Sequence, residues 1–322
     1  MTMQPPVALL LPGVGAHYPR MAAGLYRWEP VFTTAADEVF ALLGPAGQGV
    51  RADWLSDDPV VPMEHATRSH VLVFVVGYAL SRQVMSWVGP PAAVLGHGAG
   101  ELAAATVCGV FGLADAVELL WAQARGLASA PPGGLLAVDT TPARITRYLG
   151  EDVVLGALNG PAQLMLSGSR AALARLTPRL TADGFACRPV PATIGYHSPA
   201  LVPFAEETVR LVDKIGPASP GIALYSGRTT RRVTAAEAGD PWFWASQSTA
   251  PARFWPTLKT LLSDGDFRLV EAGPGRILTS IAHRHPAVAR GCSQAHAASP
   301  ARPLGERAER VALRKLARAL GK

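Results

Sequence analysis

The eight residues Val94-Leu-Gly-His-Gly-Ala-Gly-Glu101 constrain this chain more than any other stretch. An apolar run, Ala92–Leu95, leads into a glycine-spaced turn, and the alanine-rich stretch Glu101–Gly109 reads as the helix after it. A strand bending sharply into a helix around G-x-S-x-G is a nucleophile elbow, which exposes one side chain at the end of a sheet. Gly96, His97 and Gly100 stand where that turn needs them, but Gly98 occupies the serine position. Glycine has no hydroxyl, so no acyl ester can form there.

The rest of the chain supplies the sheet such an elbow requires. Strand-like apolar runs alternate with longer helical patterns, the mark of an α/β fold with parallel strands. Val7–Leu11 reads as the first strand, followed by the glycine-rich turn Pro12-Gly-Val-Gly-Ala16. Residues 31–44, 70–87 and 113–127 read as helices. Pro131-Pro-Gly-Gly134 then interrupts the pattern. Beyond it, short strands at 135–139, 153–159, 164–169 and 187–190 enclose helical stretches at 142–149 and 171–183. That β-α-β-β-α-β order is ferredoxin-like. The expected architecture is an α/β-hydrolase-like large domain, residues 1–131 and 196–322, with an inserted ferredoxin-like subdomain at 132–195.

Composition bounds the alternatives. The chain has 322 residues, 49% of them hydrophobic, enough for a substantial core. Its longest apolar run, Val71–Leu80, is half of the roughly 20 residues a membrane span needs. The N-terminus lacks a basic n-region, so Val7–Leu11 reads as a buried strand and not a signal peptide. A cytoplasmic protein without a membrane partner is expected. Cys108, Cys187 and Cys292 form no metal-ligand spacing. The net charge of +6 suits nucleic acid, a membrane surface or an acidic protein. Much of it sits in a C-terminal stretch that also reads as a solvated helix: Arg302, Arg307, Arg310, Arg314, Lys315, Arg318 and Lys322. No zinc-finger, RNP or Lys/Arg-run signature points to nucleic acid.

Further motifs appear in a telling order. They are Leu11-Pro-Gly-Val-Gly-Ala-His17, Gly96-His-Gly-Ala-Gly-Glu101, Asn159-Gly-Pro161, Ser167-Gly168, Tyr196-His-Ser-Pro199, Pro251-Ala-Arg-Phe254 and Glu271-Ala-Gly-Pro-Gly275. In these the chain resembles the malonyl-CoA:acyl-carrier-protein transacylases and the acyltransferase domains of polyketide synthases. The resemblance runs from Leu11 to about Ile281 and implies the two-part fold read above. It also implies ping-pong transfer of an acyl group between phosphopantetheine thioesters. The partners are then acyl carrier proteins or acyl-CoA, with no cofactor beyond the phosphopantetheine of the substrate and no metal.

By the same resemblance His197 is the general base, a task suited to imidazole. The backbone carbonyl of Gln247 orients it. The oxyanion hole is formed by the backbone N–H groups of Ala99, after the nucleophile position, and Val14 in the glycine-rich turn. Extender-unit transferases carry an arginine in the helix after the elbow that pairs with a malonyl carboxylate. Here that position falls on Gln123, and Arg125, two residues on at about 100° per residue, faces another way. A non-carboxylated starter acyl, aminoacyl or peptidyl group is expected. A malonyl-type extender unit is the alternative if the helix starts two residues off. Ile194-Gly-Tyr-His197 matches neither the His-Ala-Phe-His nor the Tyr-Ala-Ser-His form of extender selection. Gly195 is therefore expected to enlarge an acyl pocket lined by His70, His97, Gln123, Asn159 and Tyr196. Arg276, Arg284 and the C-terminal basic helix are the candidate carrier-docking surface, from charge alone.

Three origins fit the missing serine: removal by design, a natural pseudoenzyme that binds a carrier, or direct activation of water or a thiol by His197. Loss of the nucleophile leaves weak residual catalysis, so the third ranks last. The reading is a freestanding, trans-acting acyltransferase, inactive with Gly98; a carrier-binding scaffold and an acyl-thioesterase are the alternatives.

Overall fold

The computed structural model describes residues 4–322. Val7–Leu11 (β1) is buried at every position and lies at the centre of a six-stranded sheet. A strand buried on both faces needs an unbroken apolar run, and Val-Ala-Leu-Leu-Leu provides it. The other strands of that sheet are Ala93–Gly96 (β2), Ala223–Ser226 (β7), Arg231–Arg232 (β8), Arg268–Glu271 (β9) and Gln294–Ala297 (β10), in the order β10-β9-β1-β2-β7-β8. All pairs are parallel except the short β7–β8 hairpin.

The inserted strands Gly133–Asp139 (β3), Val153–Gly160 (β4), Gln163–Ser169 (β5) and Ala186–Val190 (β6) form an antiparallel sheet ordered β4-β5-β3-β6. With helices after β3 and after β5, this is the ferredoxin-like arrangement. Its own core gathers Leu136, Val138, Leu164, Leu166, Leu173 and Leu180. The large α/β domain with a ferredoxin-like insert is therefore the observed fold.

Several helices extend or add to the sequence reading. The helix read at 70–87 spans Ala66–Val88 and starts four residues early, its N-terminus capped by the His65 ring, which accepts from Thr67 N. By length and composition it is long and apolar enough to cross a membrane, but 72% of its most apolar window is buried. It is a core helix, apolar because protein covers it on most sides. Pro45–Leu55 is a helix the sequence pattern does not mark, with proline at its start and Trp54 fully buried.

The C-terminal helix Glu306–Ala319 is anchored by a buried acid. Glu309 accepts hydrogen bonds from Ala22 N at 2.6 Å and Gly24 N at 2.8 Å. Those N–H groups open the helix Ala23–Trp28 and have no other route to a partner once covered. Glu309→Ala is expected to leave them unsatisfied and lower stability by about 2 kcal/mol, read as an earlier urea midpoint. A midpoint equal to the parent's would show that water replaces the carboxylate there.

Candidate active site

Adjacent parallel strands bring the two glycine-rich turns together. β1 and β2 pair with Leu11 opposite Gly96, so both chains leave the sheet at one level. His97 N donates to Leu11 O at 2.9 Å. A Cβ at Gly13 would lie 2.4 Å from His97 O, so only glycine allows the first turn to rest on the elbow. Gly98 at the apex has φ +55°, in the left-handed region where glycine is at ease. Val14 and Ala99 line the same cavity as Gly98, with their turns in direct backbone contact. Two amides at such a cavity wall can receive a developing oxyanion.

His197 faces this apex from the loop after the inserted sheet. Its φ of +61° is unusual for a residue with a side chain. Nδ1 lies 3.1 Å from Gln247 O and 3.1 Å from Ala250 O. Carbonyls only accept, so Nδ1 carries the proton and Nε2 keeps its lone pair. That Nε2 lies 2.9 Å from where a Cβ at residue 98 would stand. Burial, with His97 nearby, pushes the imidazole down to about 4, against the smaller opposing pull of the two carbonyls. The ring is a neutral base at pH 7. Ala250 O as second acceptor was not anticipated, since backbone acceptors leave no mark in residue type.

The remaining positions divide between two neighbouring cavities. His70, His97, Gln123, Tyr196 and Gln247 line the cavity around Gly98 and His197. Asn159 does not. Its Oδ1 accepts from His97 Nε2 at 2.8 Å, and it lines a second cavity with Gln163 and Arg188. Asn159 thus orients His97 from behind, and the expectation of a direct pocket contact is corrected. Gly195 is also corrected. A Cβ there would meet Ser167 Oγ at 3.1 Å and Gly168 O at 3.2 Å, and Gly195 is not part of the cavity wall. Its small size serves packing against the inserted sheet.

Among the described residues, the cavity wall contains no arginine or lysine. Arg125 points outward and pairs with Glu207 at 3.0 Å. His70, like His197, is pushed down to about 4, mainly by burial. The walls are therefore uncharged near neutral pH. Arg276 and Arg284 are exposed on either side of the helix Ile277–Ala282, and Ile277 lines the second cavity.

A buried carboxylate braces the elbow. Glu101 accepts from Ser226 Oγ at 2.6 Å and Gly227 N at 2.9 Å, tying the helix after the elbow to the end of β7. Burial pushes it up to about 7 despite those bonds. Its backbone would sit 2.5 Å from a Cβ at Gly96, so that glycine is obligatory too.

Comparison with known proteins places this geometry. The family described as acyl transferase domain matches residues 9–312. A phenolphthiocerol/phthiocerol polyketide synthase chain of Mycobacterium tuberculosis is 34% identical over 281 residues, covering 87% of this chain and 19% of that protein. Mycoketide-CoA synthase of the same organism is 30% identical over 287 residues, covering 87% of this chain and 7% of that one. The chain thus spans a fifth or less of the length of these relatives. Among solved structures, the acyltransferase domain from the second module of the salinomycin polyketide synthase superposes with a TM-score of 0.88. It is 29% identical, covering 99% of this chain and 74% of that one. A loading acyltransferase from the avermectin modular polyketide synthase gives 0.85 at 26% identity, covering 98% of this chain and all of the other. With its elbow, its histidine and its inserted sheet arranged in this way, the chain belongs to the acyl transferase domain family.

Proposed function

We propose that this chain recognises an uncharged starter acyl group, carried as a pantetheine thioester, within polyketide or fatty-acid assembly. The thioester comes from coenzyme A or an acyl carrier protein, which docks through Arg276 and Arg284. With Gly98 the chain binds that thioester but forms no acyl-enzyme. The observation carrying the reading is His197 Nε2, a neutral base 2.9 Å from the place of a missing side chain at 98. Base and oxyanion donors surround a carbonyl carbon that has no attacking oxygen.

The uncharged substrate follows from the walls. A malonyl carboxylate buried here would lack a counter-ion, a cost of several kcal/mol. Titration of the unmodified protein with acetyl-, butyryl- and malonyl-CoA tests this, with intact mass recorded alongside. Butyryl-CoA is expected to bind more tightly than malonyl-CoA, with no mass adduct from either. Gln123→Arg should supply the absent cation and favour malonyl-CoA by about tenfold. Tighter malonyl binding by the parent, or a covalent adduct on it, would refute the proposal.

A further inference from the structure

The turn Pro12–Ala16 brings the Val14 amide to the cavity wall, and two hydrogen bonds fix the peptide planes on either side of it. The first is backbone to backbone: Ala16 N donates to Gly13 O at 3.2 Å. Gly13 O and Val14 N–H belong to one planar peptide and point in opposite directions. Drawing the oxygen toward Ala16 therefore turns the Val14 N–H the other way. Among the described residues, no acceptor takes that N–H.

The second plane joins Val14 to Gly15, and a side chain holds it. Gly15 N donates to His17 Nδ1 at 3.1 Å. Gly15 has φ +107°, a backbone that glycine tolerates and that folds the turn back toward the ring two residues on. A backbone N–H only donates, so Nδ1 keeps its lone pair and the His17 proton sits on Nε2. That tautomer is the reverse of the one at His197, whose Nδ1 faces two carbonyls. A protonated His17 would set two donors face to face and lose the bond. The titratable groups near the ring are Glu64 and His70, from the start of the helix Ala66–Val88. Burial holds the imidazole below its ordinary value against the smaller pull of Glu64, so it is neutral and accepting at pH 7.

We infer that His17 is a positioning residue: by accepting the Gly15 N–H it locks the second peptide plane beside Val14 and so aims the Val14 N–H at the thioester carbonyl. This rests on the proposed reading that a thioester binds here, and it adds a residue that acts on the carbonyl without touching it. An oxyanion donor is most effective when its direction is set before charge develops. With only the Gly13–Ala16 bond the turn could flex by rotating its second plane.

The test is isotope-edited infrared spectroscopy of the unmodified protein bound to butyryl-CoA with carbon-13 at the thioester carbonyl. The carbonyl band should fall in frequency on binding, as the two amides polarise it. His17→Phe should lose about half of that fall, the share of one donor in two, while the Kd for butyryl-CoA changes less than about twofold. His17→Asn, whose Oδ1 accepts the same N–H without a titrating ring, should restore it. Nitrogen-15 NMR at neutral pH should show His17 protonated at Nε2 alone, and the Val14 and Gly15 amide signals should move in His17→Phe. A full band shift in His17→Phe would overturn the inference, as would a proton on His17 Nδ1 in the unmodified protein. Loss of butyryl-CoA binding along with the shift would mark a role in folding only and overturn it too. If no thioester binds the unmodified protein, the proposed function falls, and unmoved Val14 and Gly15 amides in His17→Phe would overturn the inference separately. Should that variant not fold, acid titration of the unmodified protein takes its place: a Val14 amide that does not respond as His17 protonates would overturn the inference.

Discussion

Gly98→Ser is expected to convert the chain into an enzyme that acylates itself. Mixed with an accepted acyl-CoA, it should gain one acyl mass on the introduced serine at least 10⁴-fold faster than the parent gains any. Removing the nucleophile of a serine triad costs on the order of 10⁶ in turnover, and restoring it should recover much of that. The rest of the apparatus is in place: a base with a bare Nε2, two carbonyls fixing its tautomer, and two amides at the cavity wall. The substitution has a structural cost. At φ +55° a side chain carries about 1 kcal/mol of strain relative to glycine. The new Cβ would also lie 2.9 Å from Nε2, so the imidazole must retreat by roughly half an ångström to ordinary contact. A slightly lower melting temperature should accompany the gain of the ester. A folded Gly98→Ser protein that takes no acyl mass from any donor would show that more than the nucleophile is missing.

His197→Ala placed on the Gly98→Ser background should lower acylation by about 10³-fold or more, with thioester binding little changed. The pH profile provides the finer check. Because burial and His97 hold the imidazole down to about 4, the base is unprotonated at any higher pH. Acylation by Gly98→Ser should therefore stay level from neutral pH down to about 5 and fall only below it. An inflection near 6.5 would mean that the ring is solvated during turnover. Stability has the same sign for this group. A histidine held low contributes stability that is complete above its unfolded value of 6.5 and is lost as pH falls through about 4. Glu101 and Glu271, both pushed up to about 7 by burial, act in the opposite direction. Their contribution is complete below 4.5 and is lost as pH rises through 7. Acidification thus weakens the chain through its histidines while the two carboxyls oppose that loss.

Much of the frame is legible in the residue pattern. The strand–glycine–helix order at 93–107 and the break at Pro131–Gly134 mark the elbow and the start of the insert. Both are local events set by backbone freedom and apolar period. The helix Pro45–Leu55 escapes that reading because only Val50 and Trp54 among its large apolar side chains are buried, too few to set a helical period. Trp54 is covered by Tyr26 and Phe40 from the preceding helices. Gly195 misleads for a related reason. A glycine beside a candidate base can open a cavity or admit a backbone, and only the position of Ser167 and Gly168 tells which. Asn159 differs by one side chain's depth, on the far side of His97.

Residue type and spacing over a few positions establish where glycine is obligatory and which side chains are available. The fold class, the turn and the absence of a hydroxyl at 98 follow from them. Which groups share a cavity is settled only by the folded chain. Folding turned Arg125 outward to Glu207, brought the Gln247 and Ala250 carbonyls to His197, and stacked His70 on Tyr196. Such pairings join residues tens to hundreds of positions apart, and long-range packing sets them where local propensity has no reach.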